Sequence, residues 1–255
     1  MKRIIRYRDL IHTLVARELK VRYRRSAIGF LWTMLQPLLT MLVLHMVFST
    51  IFRFNVHNYP VYALSGILFW NFFHQGITAS MNSLKGNAQI LKKLPVPLEV
   101  FPIATVISGV INLLFALIPL FVILLVTGHR IDASLAFLPV AILLSALFTL
   151  GAGLLLSPLA VFFSDVVELV GVCLTLLFYM TPIFYPMSIV ADHPLFWLVR
   201  YNPARSILEV FRDPIYLNKI PPIGHLAVAL VVALVFLGVG SYAFRRMSDR
   251  IPFYV

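Results

Sequence analysis

Charged residues and cysteine are both scarce in this chain. Only 12% of its 255 residues are charged, whereas soluble domains average about 25%. The single cysteine, Cys173, excludes an intrachain disulfide. Hydrophobic residues make up 60% of the chain and the mean hydropathy is +0.92. A water-soluble fold of this size cannot bury so much apolar surface, so the composition predicts a membrane protein.

Several motifs for chemistry are also missing. The chain has no G-x-x-x-x-G-K-[ST] loop, so it does not bind and hydrolyse ATP in the P-loop manner. It has no H-E-x-x-H, no Cys/His cluster and no G-x-S-x-G, so nothing points to an intramembrane hydrolase. The apolar runs also lack the intramembrane charges that ion-coupled carriers use. We therefore expect no catalytic residue, cofactor or metal in this chain.

Six apolar runs are long enough to cross a bilayer, which needs about 20 residues in a helix. They predict an all-α, polytopic fold with six transmembrane helices, and four prolines in the first, third and fourth runs are expected to kink them. The runs are 27–52, 61–81, 100–127, 135–163, 167–189 and 223–244, and the prolines are Pro37, Pro119, Pro139 and Pro158.

The basic residues divide unequally between the two sides of such a fold. Fifteen of the 21 Lys and Arg residues fall in 1–26, 82–99 and 245–255, which share one side. The positive-inside rule places that side, with both termini, in the cytoplasm. This topology accounts for the net charge of +11, so we do not expect nucleic acid as a partner. The predicted parts are an N-terminal cytoplasmic segment (1–26), a membrane domain (27–244) and a cytoplasmic tail (245–255).

The basic head has a helical pattern between residues 6 and 25. Its apolar residues share one half of a helical wheel, and Arg6, Thr13, Arg17, Lys20 and Arg24 cluster on the other side. We expect an amphipathic helix in the membrane interface, with its apolar face in the acyl boundary. It serves either as a topology anchor or as part of a docking surface for a cytoplasmic partner. The apolar residues are Leu10, Ile11, Leu14, Val15 and Leu19.

The cytoplasmic loop 82–99 contains room for two helical turns at 87–94, which Pro95 and Pro97 would end. It is either an ordinary loop whose Lys92 and Lys93 lie at lipid headgroups, or a short helix that transmits force from a bound subunit.

Near the outer end of the fifth run, Pro182 and Pro186 interrupt an apolar helix, and polar residues are then mixed with apolar ones up to residue 222. Broken helices at membrane depth occur only where they are buried in protein or line a cavity. The region 181–222 therefore predicts a pair of short re-entrant helices at the outer part of a pathway. A surface amphipathic hairpin is the alternative.

Four blocks of the sequence together resemble a known family. They are Arg17-Glu-Leu-Lys-Val-Arg-Tyr-Arg-Arg-Ser-Ala-Ile-Gly-Phe-Leu-Trp running on to Gln36-Pro37-Leu38, then Gly66-Ile-Leu-Phe-Trp-Asn-Phe-Phe, Leu91-Lys-Lys-Leu-Pro-Val-Pro-Leu-Glu, and Thr181-Pro-Ile-Phe-Tyr-Pro with Tyr201-Asn-Pro-Ala. These resemble type 2 ATP-binding-cassette permeases, particularly those exporting O-antigen, capsule and teichoic acid polysaccharides. Leu94-Pro95 stands where an aromatic-containing segment is expected.

The resemblance implies a homodimer bound to two copies of a separate ATPase, which holds ATP and Mg²⁺ and drives a lipid-linked glycan across the cytoplasmic (inner) membrane. It implies roles for three sets of residues. The coupling set is Asn87, Gln89, Lys92, Lys93, Arg17 and Lys20; the pathway aromatics are Trp70, Phe73, Tyr179, Phe184 and Tyr185; the outer gate holds Pro182, Pro186, Asn202 and Pro203. A permease of the same family for a drug, haem or lipid is one alternative, and an integral-membrane enzyme acting on a lipid-phosphate is another.

Overall fold

The computed structural model describes residues 7–23, 28–51, 56–93, 96–194 and 196–254, and all regular structure in these segments is helical. Its longer helices are α1, Arg8–Tyr23; α2, Trp32–His45; α3, Tyr59–Gly86; α5, Val100–Val126; α6, Leu138–Phe162; α7, Asp165–Met180; and α10, Ile223–Ser248. Its shorter helices are α4, Ala88–Lys93; α8, Phe196–Arg200; and α9, Pro203–Arg212. The prediction of an all-α fold is confirmed for these residues.

Tight or wide helical turns extend several helices. Gly29–Leu31 leads into α2 and Ala133–Phe137 into α6 as 3₁₀ turns. Met46–Ile51 follows α2 and Asp213–Leu217 follows α9 as π turns.

Four segments in the described residues are long and apolar enough to cross a membrane: Gly29–Phe48, Val100–Val126, Ala133–Phe162 and Ile223–Ser248. They correspond to the first, third, fourth and sixth predicted runs. The second run lies in α3, whose 28 residues span about 42 Å at 1.5 Å per residue. Polar residues such as Asn71 and Gln75 lower the hydropathy of α3.

The fifth predicted run, 167–189, is wrong at its outer end because α7 stops at Met180. Thr181 adopts an extended backbone, with φ −99° and ψ 131°. A proline disfavours helical geometry in the residue before it and lacks the N–H that the helix requires. Pro182 therefore ends α7 after 16 residues, or about 24 Å.

Helix α3 lies at the centre of the bundle and packs against α2, α5 and α6. Phe73 of α3 stacks on Phe148 of α6 with ring centroids 4.8 Å apart, and Phe148 meets Phe236 of α10 edge-on at 4.8 Å. Aromatic pairs in these geometries add about 0.5–1.5 kcal/mol each beyond area burial. These ring contacts join α3, α6 and α10 in one core.

Helices α6 and α10 make the most extensive helix–helix contact of the described chain, and glycines form its centre. A Cβ atom at Gly240 would overlap the carbonyl group of Gly151, and one at Gly151 would overlap the backbone of Phe236 and Leu237. Small residues allow membrane helices to approach at backbone distance. The glycine pair therefore sets how closely α6 and α10 cross.

Three of the four prolines expected to kink helices lie inside them: Pro37 in α2, Pro119 in α5 and Pro158 in α6. Pro139 differs because it occupies the first turn of α6. A first-turn N–H has no intrahelical acceptor, so a proline there favours the start of a helix and disturbs nothing. The prediction of a kink at Pro139 is wrong.

The two described ends of the chain lie at the same end of the bundle. Leu14 and Val15 of α1 share a buried cluster with Val100 at the start of α5 and with Ile251 after α10. This corrects the expectation that the apolar face of α1 lies in the acyl boundary, since Leu14 is only 4% exposed and Val15 only 7%. The protein itself covers that face, which fixes α1 to the bundle.

Candidate functional sites at the two ends of the bundle

The break after α7, between Thr181 and Tyr185, is stabilised by hydrogen bonds from a buried arginine that the sequence analysis did not select. Arg212, the last residue of α9, donates from Nη1 to the carbonyl oxygen of Pro182 at 2.7 Å and from Nη2 to that of Ile183 at 2.8 Å. Its guanidinium also lies 4.0 Å from the centre of the Tyr62 ring. A guanidinium over an aromatic face gains a cation–π attraction, which is stronger when the pair is desolvated.

Two tyrosines of α3 donate to the next carbonyls of the same break. The hydroxyl of Tyr59 lies 2.8 Å from the carbonyl oxygen of Phe184, and that of Tyr62 lies 2.7 Å from the carbonyl oxygen of Tyr185. Four successive carbonyls, from Pro182 to Tyr185, thus have side-chain donors. Buried carbonyl groups without partners are costly, so this set of donors explains how the helix can break at this point.

The apolar face of α9 brings Arg212 to this position. Ile207, Leu208, Val210 and Phe211 are all fully buried against α3, α6 and α10. Arg212 follows them and is itself only 6% exposed. A buried charge requires compensating partners, and carbonyl dipoles and an aromatic ring provide them here.

Asn202 joins the broken end of α7 to the start of α9. Its side-chain oxygen accepts from the N–H of Ala204 at 2.9 Å, which is an N-cap. Its side-chain nitrogen donates to the carbonyl oxygen of Met180 at 3.2 Å and to the hydroxyl oxygen of Thr181 at 2.9 Å. One buried amide therefore satisfies groups on both sides of the break.

Asp213 follows Arg212 as the first residue of the π turn after α9. Burial and the nearby carboxylate of Glu209 raise the pKa of Asp213 to about 6. Glu209 itself pairs with Arg205 one turn earlier, at 2.6 Å. The outer segment, residues 181–222, therefore has acidic and basic side chains in contact, as well as the buried guanidinium of Arg212.

At the opposite end of the bundle, α1 is tied to the junction between α3 and α4. Arg17 Nη2 donates to Asn87 Oδ1 at 2.8 Å, and Asn87 Nδ2 donates to the carbonyl oxygen of Ser83 at 2.8 Å. The hydroxyl of Thr105 on α5 donates to Glu18 of α1 at 3.0 Å. Two predicted coupling residues, Arg17 and Asn87, thus touch although 70 positions separate them.

The short helix predicted at 87–94 is confirmed as α4. Ile90 and Leu91 pack on the same cluster as α1, while Gln89, Lys92 and Lys93 are exposed. Lys20 of α1 is also exposed. The two helices therefore present polar and basic groups outward from this end of the bundle.

The predicted pathway aromatics belong to one connected cluster of rings but differ in exposure. Trp70, Tyr179 and Phe184 all lie within 5.6 Å, between ring centroids, of Phe178, a ring that the sequence did not select. Tyr185 stacks edge-on against Phe184 at 5.2 Å. Phe73 lies 5.7 Å from Trp70 between ring centroids and is 2% exposed. Only Tyr179 in the predicted set is largely exposed, at 62%.

Comparison with known proteins identifies the family. Residues 9–216 match the family described as ABC-2 type transporter. The chain belongs to that family. Relatives of this transporter chain include the O-antigen export system permease protein RfbA of Myxococcus xanthus, with 31% identity over 98% of this chain and 96% of that protein.

Two further relatives of this ABC-2 chain also match over most of their length. The O-antigen export system permease protein RfbA of Klebsiella pneumoniae is 29% identical over 95% of this chain and 93% of that protein. The polysialic acid transport protein KpsM of Escherichia coli is 24% identical over 92% of this chain and 93% of that protein. The similarity therefore covers the whole helical bundle.

In this ABC-2 transporter, the predicted gate residues lie close together around the break. Asn202 and Pro182 contribute directly to its hydrogen bonds, whereas Pro186 and Pro203 bound the segments on either side. Sequence analysis missed Arg212, Tyr59 and Tyr62. One signal was present: Arg212 is the last residue of a strongly amphipathic helix, and an ionisable residue in apolar surroundings is a candidate for a functional site.

Proposed function

We propose that this chain is the transmembrane permease subunit of an ATP-driven exporter that moves a lipid-linked polysaccharide out of the cytoplasm. The observation that carries the proposal is similarity along nearly the full length to export permeases for O-antigen and to a polysialic acid transport protein. A second chain must supply ATP hydrolysis, because this sequence has no P-loop.

The proposed subunit crosses the membrane six times, with α3 and α7 added to the four long apolar segments. The break between Thr181 and Tyr185 continues α7 toward the outer surface, since its carbonyls have donors from within the protein. An even number of crossings agrees with the packing of Leu14 and Ile251 in one cluster. The excess of basic residues at that end supports a cytoplasmic position for it. Two such subunits and two ATPase copies form the proposed complex.

We assign coupling to the ATPase to the surface formed by α1 and α4. Helix α4 directly follows α3, the central helix, so a force applied to Lys92 or Lys93 passes into the core over a few residues. The Arg17–Asn87 hydrogen bond makes α1 part of the same mechanical unit. Exposed lysines on α4 and Lys20 on α1 suit an acidic partner surface.

We assign the outer gate to the break, α8 and α9, with α8 and α9 as the proposed re-entrant pair. Phe178, Tyr179 and Phe184 form an aromatic group at this level. Such rings offer flat apolar faces to sugar rings without a fixed hydrogen-bond pattern. The exposed ring of Tyr179 is the one in this set with a face available to a passing glycan.

The proposal is tested by deleting the gene in its native host and following the surface glycan. We expect the glycan to accumulate, still lipid-linked, inside the cytoplasmic membrane, and to reach the surface again when the gene is restored. Purification of the tagged chain in mild detergent should recover a P-loop ATPase at equal stoichiometry. Normal surface glycan in the deletion strain, with loss of a drug, haem or lipid export activity instead, would overturn the polysaccharide assignment.

A further inference from the structure

Three loops meet around one histidine at the end of the bundle opposite α1. His129 lies in the loop between α5 and α6. Its ring atom Nδ1 lies 3.3 Å from the side-chain nitrogen of Asn58, which directly precedes α3. Its other ring nitrogen, Nε2, lies 3.2 Å from the side-chain nitrogen of Asn218, which directly follows the π turn after α9. We call His129, Asn58 and Asn218 the loop junction.

The backbone also requires particular residues at two of these positions. Asn58 has a φ of 47° and Asn218 a φ of 53°. Both values lie in the left-handed region, which asparagine adopts more readily than most residues because its short side chain forms local hydrogen bonds. The two asparagines therefore turn the chain and at the same time supply amide groups to the His129 ring.

The contacts of Asn58 determine which nitrogen of His129 accepts a hydrogen bond. The side-chain nitrogen of Asn58 also donates to the hydroxyl oxygen of Thr127 at 2.9 Å. That hydroxyl donates its own hydrogen to the carbonyl oxygen of Ile123 at 2.7 Å, so it can only accept from Asn58. The amide nitrogen of Asn58 is thereby directed to the ring. A neutral imidazole accepts at one nitrogen and donates at the other, so Nδ1 accepts and Nε2 carries the hydrogen.

The amide of Asn218 completes this pattern. An N–H group at Nε2 of His129 needs an oxygen opposite it. The two ends of a carboxamide have nearly the same shape, so a half-turn of the Asn218 amide brings Oδ1 to Nε2. Without that turn, Oδ1 is buried and has no hydrogen-bond partner among the described residues. The surroundings of His129 therefore favour a neutral ring with its hydrogen on Nε2.

A continuous set of ring contacts connects His129 to the break after α7. The His129 ring is nearly parallel to that of Tyr216, with centroids 6.0 Å apart. Tyr216 meets Tyr62 edge-on at 5.2 Å, and the guanidinium of Arg212 lies 4.0 Å from the centre of the Tyr62 ring. The hydroxyl of Tyr216 also donates to the carbonyl oxygen of His57 at 2.7 Å. The loop junction thus adjoins the residues that stabilise the break.

We propose that His129 is a positioning residue which, in its neutral form, holds these three loops together, and that protonation of its ring loosens them. A second ring hydrogen on Nδ1 would face the amide nitrogen of Asn58. Asn58 can offer its oxygen instead only by giving up its hydrogen bond to Thr127. Histidine changes its charge between about pH 8 and pH 5. The inference rests on these contacts, and only its consequence for the outer gate rests on the proposed function.

Other ionisable groups surround the loop junction. In the described contacts, only the two asparagines reach the ring nitrogens of His129, so the three loops respond to its protonation through them. Nearby cations disfavour a charged imidazole and carboxylates favour it. The described groups are His57 before α3, Arg130 and Asp132 on the His129 loop, and Asp213, Tyr216 and Lys219 after α9; Arg53 lies in 52–55, outside the described residues.

Hydrogen–deuterium exchange of the purified transporter in nanodiscs tests the proposal. Exchange is compared at about pH 8 and about pH 5, with labelling times scaled for the intrinsic effect of pH on amide exchange. We expect peptides from 127–137 and 213–222 to exchange about five-fold faster at the lower pH, the factor expected for the loss of one hydrogen bond. Peptides of α6 should stay protected at both. Equal scaled rates at the two pH values would overturn the proposal.

His129→Phe keeps a ring against Tyr216 but removes both ring nitrogens. Its 127–137 and 213–222 peptides should exchange rapidly at both pH values, because the loop junction cannot form. His57→Gln is the matched control, since it removes an exposed imidazole beside the same loops, and it should behave as the unmodified chain does. An undiminished pH response in His129→Phe, which would assign the response to another group, contradicts the proposal.

Asn58→Asp separates protonation of His129 from a general loss of packing. A carboxylate accepts hydrogen bonds from a protonated ring and from the Thr127 hydroxyl, and aspartate tolerates the left-handed backbone. The acid response should therefore largely disappear in this variant, and a full response would sink the assignment to His129. Exchange is measured without export. A missing acid response therefore leaves the polysaccharide assignment intact, and normal surface glycan in the deletion strain leaves the loop junction intact.

Discussion

Gly66 of α3 leaves the space that the guanidinium of Arg212 occupies. A Cβ atom at residue 66 would overlap Arg212 Nη2 and would lie 2.8 Å from the carbonyl oxygen of Ile183. Because residue 66 is glycine and has no side-chain methyl group, the Arg212 side chain at the end of α9 can reach the carbonyl groups of the break after α7. The contact joins residues 146 positions apart in the sequence, so the outer segment depends on the central helix for its shape.

We expect Gly66→Ala to destabilise the subunit by about 1–3 kcal/mol, the usual cost of overpacking a filled site. Gly86→Ala is the matched control, because a Cβ atom there meets nothing within 4 Å. Thermal unfolding of both variants in one detergent measures the difference. Equal melting temperatures would show that Arg212 moves aside at no cost.

We call the two hydrogen bonds from Arg212 to the carbonyls of Pro182 and Ile183 the clamp. The clamp predicts that the stability losses caused by substitutions at Gly66 and Arg212 are not additive. Arg212→Met alone removes two charge-assisted hydrogen bonds, each worth about 1.5–3 kcal/mol. If Gly66→Ala acts by displacing the guanidinium, the double variant should be little worse than Arg212→Met. A double-mutant cycle on thermal stability measures this, and fully additive losses would contradict the clamp.

Asn202 should matter more for closure of the outer segment than for assembly. Asn202→Ala removes an N-cap, worth about 0.5–2 kcal/mol, and leaves the carbonyl of Met180 without its amide donor. We expect faster protease cleavage within 187–194, with assembly of the proposed dimer unchanged. Asn82→Ala, which loses one exposed bond to Thr78, is the control. Identical cleavage rates for the two variants would show that the cap is dispensable.

Charge reversal on α4 tests the coupling surface. Lys92→Glu/Lys93→Glu should leave folding intact, because both side chains are exposed, and should abolish or strongly reduce glycan export while the ATPase still hydrolyses ATP. Lys85→Glu, an exposed lysine in the last turn of α3, is the matched control. Export and ATP hydrolysis are measured together in reconstituted vesicles. Export at the unmodified rate in the double variant would remove α4 from the coupling surface.

We expect alanine substitutions of the buried and the exposed aromatic residues to have opposite effects on stability and export. Phe73→Ala should cost about 3–5 kcal/mol of stability, as large-to-small core changes do, because Phe73 is 2% exposed and stacks on Phe148. Tyr179→Ala should leave stability nearly unchanged, since its ring is 62% exposed, yet should slow export. Thermal unfolding and surface glycan, measured on both variants, separate the two roles. Normal export by Tyr179→Ala would leave that ring without a transport function.

The extent of the helices could be predicted because apolar length and proline position are local properties. Pro182 ends α7 through its effect on Thr181, an interruption that the sequence indicated, whereas the prediction of a kink at Pro139 was wrong because that proline begins α6. The apolar face of α1 could also be predicted from the sequence pattern, but the residues that bury this face could not. A helical wheel shows that Leu14 is apolar, not whether lipid or the start of α5 will bury it.

The contacts that form the candidate sites could not be predicted in this way. The partners of Arg212 come from α3 and from the break, 29 to 150 positions away. Nothing in the spacing of one helix specifies which residue of another it will meet. The roles of the coupling residues, the gate prolines and the aromatic rings, and the count of six crossings, remain predictions for the experiments above.

The glycine contact between α6 and α10 has a consequence for movement during transport. Where Gly151 meets Gly240, no layer of side chains separates the two backbones, so there are no rotamers that could readjust if one helix slid along the other. Helices α6 and α10 should therefore move together as one rigid unit. In the proposed ATP-driven cycle, we therefore expect changes of shape to come from helices α2 and α7, which bury few of their residues in the subunit.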